Sequence, residues 1–189
     1  MNIVAIGAHP DDLEIFAYGF LAAASSRGDN LILGVATDGA AGGVNKGAEL
    51  ARQRADEARN GLAALGTPTL LDLPDGQLAD APNARNRIRD FIRNAAPDLV
   101  ITHAPEDYHP DHRALAAYVR DAAGFICPVL FCDTLMGVGF TPDYYIDISA
   151  HFAAKQKAIM AHHSQDPSRF ASASAIMNRF RAAQCNAPD

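Results

Sequence analysis

Two short runs carry the residue types of a metal or hydrolytic centre. The first, Ala8-His9-Pro10-Asp11-Asp12-Leu13-Glu14, sets one imidazole and the two adjacent carboxylates of Asp11 and Asp12, with Glu14 just beyond, directly after the apolar stretch 2 to 7. The second, Tyr108-His109-Pro110-Asp111-His112, comes shortly after the apolar Leu99-Val100-Ile101. Neutral imidazole and ionised carboxylate are good ligands for a divalent cation. Pro10 fixes its own φ and sharpens the turn, so His9 and Asp12, three apart, can converge while Asp11 points elsewhere. His112 completes two histidines and one carboxylate, the set of catalytic zinc sites that keep a fourth position for water. Zinc brings the pKa of such a water from about 15.7 towards about 7. Three rival readings stand beside this one. Each pair alone reads as a turn with an acid at a helix N-terminus. The same ligand set also describes the facial triad of a non-haem Fe(II) oxygenase. A metal-binding module without turnover would be indifferent to Asp11→Asn.

The elements that must position these residues follow from the apolar pattern. Residues 2 to 7 form a β-branched run, and Leu13, Phe16, Phe20 and Leu21 then share a helical face closed by Gly28. The pattern recurs as a strand at 31–37, a helix burying Leu50, Ala58, Leu62 and Leu65 before Gly66, and a strand at 69–73. Ile88, Phe91 and Ile92 mark a third helix, and 99–102 reads as a strand buried on both faces. A helix is expected over 113–123, strands over 128–132 and 144–148, and closing helices over 150–162 and 168–183. Such alternation implies an α/β protein, a three-layer α/β/α sandwich with a mostly parallel sheet. In these sheets sites lie at the carboxyl ends of the strands, where both runs fall. The first turn lacks the G-x-G-x-x-G of a dinucleotide fold, and the Gly-rich 39–47 lacks the spacing of a phosphate loop. That stretch is expected to be a connection or lid at the same edge.

Composition bounds the rest. A length of 189 residues, 49% hydrophobic and 20% charged, suits one domain over 1–189. The formal charge of −6 argues against a nucleic-acid or anionic-membrane surface, and no run is long and apolar enough for membrane insertion. No signal peptide is legible at the start, and Cys127, Cys132 and Cys185 form no even framework, so a cytoplasmic location with reduced thiols is expected. Homo-oligomer formation stays open.

The two runs together resemble the LmbE/PIG-L family of zinc-dependent N-deacetylases. Further matches stand in family order: Thr37-Asp38-Gly39, Arg54 with Glu57, Leu65-Gly66, Leu73-Pro74-Asp75-Gly76, Tyr145-Ile146-Asp147-Ile148-Ser149 and His162-His163-Ser164-Gln165. The resemblance covers roughly residues 1 to 165. It implies a Rossmann-like fold and Zn2+ as cofactor, held by His9, Asp12 and His112, with Asp11 as general base. It further implies that His109 stabilises the oxyanion or protonates the leaving amine, and that Asp111 orients an imidazole. The implied substrate is a small N-acylated amino sugar or related amide, with an amidase of larger conjugates as the nearest alternative. Arg54, Tyr108 and His162 are expected to contact substrate. Glu14 is expected to support its loop, Asp38 and Asp75 to line the pocket or its turns, and His103 and His151 to be structural. Arg85, Arg87, Arg89 and Arg93 read as a solvated helix face.

Overall fold

The computed structural model describes residues 1–186. Strand β1 (Asn2–Gly7) lies at the centre of a sheet and is flanked by β2 (Asn30–Thr37) and β4 (Leu99–Thr102); β3 (Thr69–Leu73) and β5 (Val129–Phe131) form the edges. The order is β3-β2-β1-β4-β5, and every pairing among the described residues is parallel. Side chains of β1 alternate between two buried faces, which is why its sequence reads as a continuous apolar run. Val4 and Ile6 pack with Ile88 and Ile92 of α3 (Ala84–Asn94) and with Leu115 and Val119 of α4 (Pro110–Ala123). Ile3 and Ala5 face α1 (Tyr18–Ser26), Leu62 of α2 (Ala48–Leu62) and Ala158 of α5 (Phe152–Ile159). Helices therefore cover both faces, giving the expected three layers. Among the described residues, no helix is long and apolar enough to cross a membrane.

Topology locates the site. From β1 the chain steps outward through β2 to β3, then crosses back to β4 on the other side of β1. The carboxyl ends of β1 and β4 thus flank the point where strand order reverses, the crevice that such sheets offer to ligands.

Four boundaries depart from expectation. The helix after β1 opens with a π-helical turn, Leu13–Ala17, before α1. Helix α4 starts at Pro110, three residues early, because His109 caps it and proline suits a first helical position. Residues 149–151 form a 3-10 turn, and α5 stops at Ile159 rather than 162. The strand expected over 144–148 does not form. The sheet already ends at β5, the Asp147 carboxylate accepts from the Ser149 amide and hydroxyl to start the 3-10 turn, and Ile148 packs against Gly19 of α1. Helix α6 (Pro167–Gln184) closes the described chain.

Candidate metal centre

The turn after β1 and the loop after β4 meet. His9 Nδ1 lies 3.2 Å from His112 Nε2 and 3.4 Å from Asp12 Oδ2, and Asp12 Oδ1 lies 3.4 Å from His112 Nε2. A tetrahedral ion with bonds of roughly 2.0–2.1 Å needs ligand atoms about 3.3 Å apart, close to these pair distances, although Asp12 faces the two imidazoles through different oxygens. His9 also gathers with His109 and His112 and with Asp75 and Asp111, and Asp12 with His103 and His112, in groups that could hold an ion. Two imidazole nitrogens and a carboxylate also suit zinc chemically. His9, Asp12 and His112 are all buried.

Each group is held from behind by residues of other loops. Asp111 and Asp75 bracket His9 Nε2 at 3.3 and 3.2 Å. Asp111 also accepts from the Gly76 and Leu78 amides, tying the loop after β3 to α4. The imidazole that Asp111 contacts is that of His9, not of its neighbour His112. Behind His112 stands Asp107, with Oδ2 3.1 Å from Nδ1 but not aligned for a full hydrogen bond. Asp12 Oδ2 accepts from the His9 amide at 2.6 Å and lies 3.0 Å from His103 Nε2. The His103 ring stacks on His112 with centroids 3.7 Å apart.

Electrostatically the cluster favours positive charge. Burial pulls the His112 imidazolium down, but Asp12 and Asp107 outweigh it and push its pKa up to about 9. Burial is likewise outweighed at His9, which Asp111, Asp12 and Asp75 hold well above the ordinary value. Asp11 behaves differently: burial raises its carboxyl to about 6, and Arg54 is the chief restraint. A dication is a compact substitute for the two protons that these imidazoles otherwise retain.

The centre opens into a cleft of about 230 Å³. Ile15, Phe16, Leu135 and Phe170 make one wall apolar; Ala41, Gly42, Arg54 and Gln165 make the other polar. His109 lines it as well. As the N-cap of α4, His109 accepts from the Asp111 amide through Nδ1, so a neutral ring carries its proton on Nε2. Tyr108 stands at the mouth, 61% exposed.

Three expected positions look different in the fold. His162 lines no part of the cleft; it is buried behind the first turn, 2.8 Å from the Glu14 carboxylate, which thereby supports the loop. Arg54 does reach the cleft, but its guanidinium also donates to the Pro10 and Gly39 carbonyls, while Glu57, one turn on, takes the Ser164 amide and hydroxyl. His103, expected to be only structural, touches both Asp12 and His112. Asp107 escaped the sequence reading entirely. Its one signal was local: an acid two residues before His109 in the loop that β4 delivers to the site.

Comparison with known proteins bears on the family and the fold. The family model described as PIG-L: GlcNAc-PI de-N-acetylase matches residues 4–123. The chain is 29% identical over 188 residues to the diacetylchitobiose deacetylase of Thermococcus kodakarensis, spanning 88% of this chain and 70% of that one. It is 30% identical over 176 residues to the uncharacterized deacetylase YaiS of Escherichia coli, spanning 86% and 91%. Among solved structures, the N,N'-diacetylchitobiose deacetylase from Pyrococcus horikoshii superposes with a TM-score of 0.81 at 25% identity, over 95% of this chain and 76% of that one. The conserved protein TT1542 from Thermus thermophilus shares the fold, with a TM-score of 0.87 at 24% identity over 99% and 90% of the chains.

Proposed function

We propose, on the premise that this chain belongs to the PIG-L family of de-N-acetylases, that it hydrolyses the N-acetyl group of an amino sugar or small amino-sugar conjugate. It is a hydrolase acting on a non-peptide C–N bond, as its deacetylase relatives are. The observation that carries the proposal is the triangle of His9, Asp12 and His112 with a second carboxylate, Asp11, left outside it. Zinc held by that triangle would supply an acidic bound water and a Lewis acid for the amide carbonyl.

The protein's own groups divide the remaining work. Asp11 takes a proton from the attacking water. Its pKa of about 6 leaves it mostly ionised at neutral pH yet basic enough to accept. His109, kept neutral by burial and by the neighbouring His9 and His112, offers Nε2–H as a hydrogen bond to the developing oxyanion, and the proton that Asp11 took from the water passes to the departing amine. Asp75 and Asp111 hold the His9 ring, and Asp107 holds His112, so the ligand atoms keep their spacing. Gln165 and the loop at Ala41 and Gly42 face the sugar hydroxyls, while the apolar wall excludes water from the reacting bond.

The test is metal content together with acetate release from N-acetylglucosamine and N,N'-diacetylchitobiose. Near-stoichiometric zinc and release of acetate are expected, with Asp11→Asn keeping the metal while losing about 10²–10⁴ in kcat. Near-normal turnover by Asp11→Asn would remove the base assignment. A zinc-loaded protein that releases no acetate from either sugar would sink the substrate class.

A further inference from the structure

Asp11 has a φ of 131°, a backbone conformation that a non-glycine residue rarely holds. Strain of this kind persists where the surroundings over-determine it. Here the turn is closed by its own bonds, from the Asp12 amide to the His9 carbonyl and from the Ile15 amide to the Asp11 carbonyl, and one side chain grips it from outside. Arg54 Nη2 donates to the Pro10 carbonyl at 2.8 Å and lies 3.2 Å from Asp11 Oδ2, gripping the peptide before the strained residue and the carboxylate on it. The same guanidinium reaches the other way: Nη1 donates to the Gly39 carbonyl at 3.1 Å and faces Asp75 Oδ2 at 3.9 Å. That Asp75 oxygen accepts from the Ala41 amide, and Asp38 accepts from the Ala40 and Asp75 amides. One rigid fork thus joins the turn carrying the base, the start of the Gly-rich loop and the acid beside His9.

The guanidinium is engaged mainly with the protein. Nη1 and Nη2 each donate to a backbone carbonyl, and Nε is buried without a partner, while Arg54 still lines the cleft. The loop sequence fits the clamp: a Cβ on Gly42 would collide with Arg54 Nη1, so the backbone lies against the guanidinium only because the side chain there is a hydrogen. We infer that Arg54 is a positioning residue, which locks the strained Asp11 turn and the loop 39–42 into one preformed wall of the cleft. A lysine cannot replace it, since a single ammonium does not span acceptors on both sides as a planar fork does.

The kinetic part of this inference rests on the deacetylase reading, and the structural part does not. The zinc-loaded wild type, Arg54→Lys, Arg54→Ala and Gly42→Ala are compared by hydrogen exchange and by acetate release from N,N'-diacetylchitobiose. Gly42→Ala sits on the exposed loop and disturbs the clamp while sparing the core. In each variant the amides of Asp12, Ile15, Ala41 and Gly42 should lose protection together, while β1 and β4 stay protected. Turnover should fall about 100-fold in both Arg54 variants, with KM within about threefold, as expected of misplaced chemistry. Millimolar guanidinium should restore part of the rate to Arg54→Ala and none to Arg54→Lys. Unchanged exchange at the turn and loop would overturn the clamp. So would a KM raised tenfold or more at unchanged kcat, which marks a substrate-gripping arginine. If the wild type releases no acetate while the exchange pattern appears, the proposed activity fails and the clamp stands.

Discussion

The protein buries charge in two places, and they behave in opposite ways. At the carboxyl ends of β1 and β4, Asp12, Asp75, Asp107 and Asp111 surround His9 and His112 and raise their affinity for protons. Between α5 and α6, Lys155 is 2% exposed, with a neutral partner, the Asn178 amide oxygen, at 2.9 Å. Desolvation there depresses its pKa to about 8, and the neighbouring Cys132 thiol, itself pushed up to about 12 by burial, carries no charge to offset this at neutral pH. Both sites are low in dielectric; what differs is the sign of the surplus. An excess of carboxylate makes a place for an incoming cation, whereas a cation buried without an acid merely costs stability.

The largest test of this contrast is at the ligands. Asp12→Ala should abolish stoichiometric zinc and all acetate release, with the chain still folded; elemental analysis beside circular dichroism decides it. Full zinc occupancy in that variant would mean that the carboxylate excess does not define the centre. A smaller effect is expected one layer out. Asp107→Asn should weaken zinc about 10–100-fold by loosening His112, measured by competition with a chelator. Affinity equal to the wild type would make Asp107 a helix-start residue only.

The smallest effect belongs to the other region. Lys155→Met should stabilise the protein at pH 7, because a fall from 10.5 to about 8 corresponds to a penalty of about 3 kcal/mol, partly offset by leaving Asn178 unpaired. The sign follows from proton uptake: between pH 8 and 10.5 the unfolded chain holds the Lys155 proton and the folded one does not, so wild-type stability from this group rises with pH. The penalty is complete below about pH 8 and gone above about 10.5. The gap in Tm between variant and wild type should therefore be a few degrees at pH 7 and shrink towards pH 10. A gap independent of pH would show that Lys155 is not the group bearing the desolvation cost.

Much of the fold was legible in the sequence. Apolar runs and glycine stops placed β1 to β4 and the main helices, since burial on both faces leaves a mark at every position. The segment 144–148 misled because β-branched and aromatic residues state a preference that only an available sheet edge can satisfy. Asp147 gave its hydrogen bonds to a turn instead.

For the site, the sequence by itself determined the inventory: an imidazole and two carboxylates within four residues, and a histidine pair three apart, in runs that each follow a strand. Covalent spacing fixes such neighbourhoods. Only the tertiary structure decided who supports whom. Asp111 turns to His9, Asp107 stands behind His112, His103 stacks on the ring of His112, His162 withdraws behind the turn to Glu14, and Arg54 pairs with Asp11 across the wall of the cleft. Several of these pairings join residues from different loops, and His162 pairs with a glutamate 148 positions away. Spacing along the chain carries no record of such meetings, because they are set by the crossing of strand order between β1 and β4.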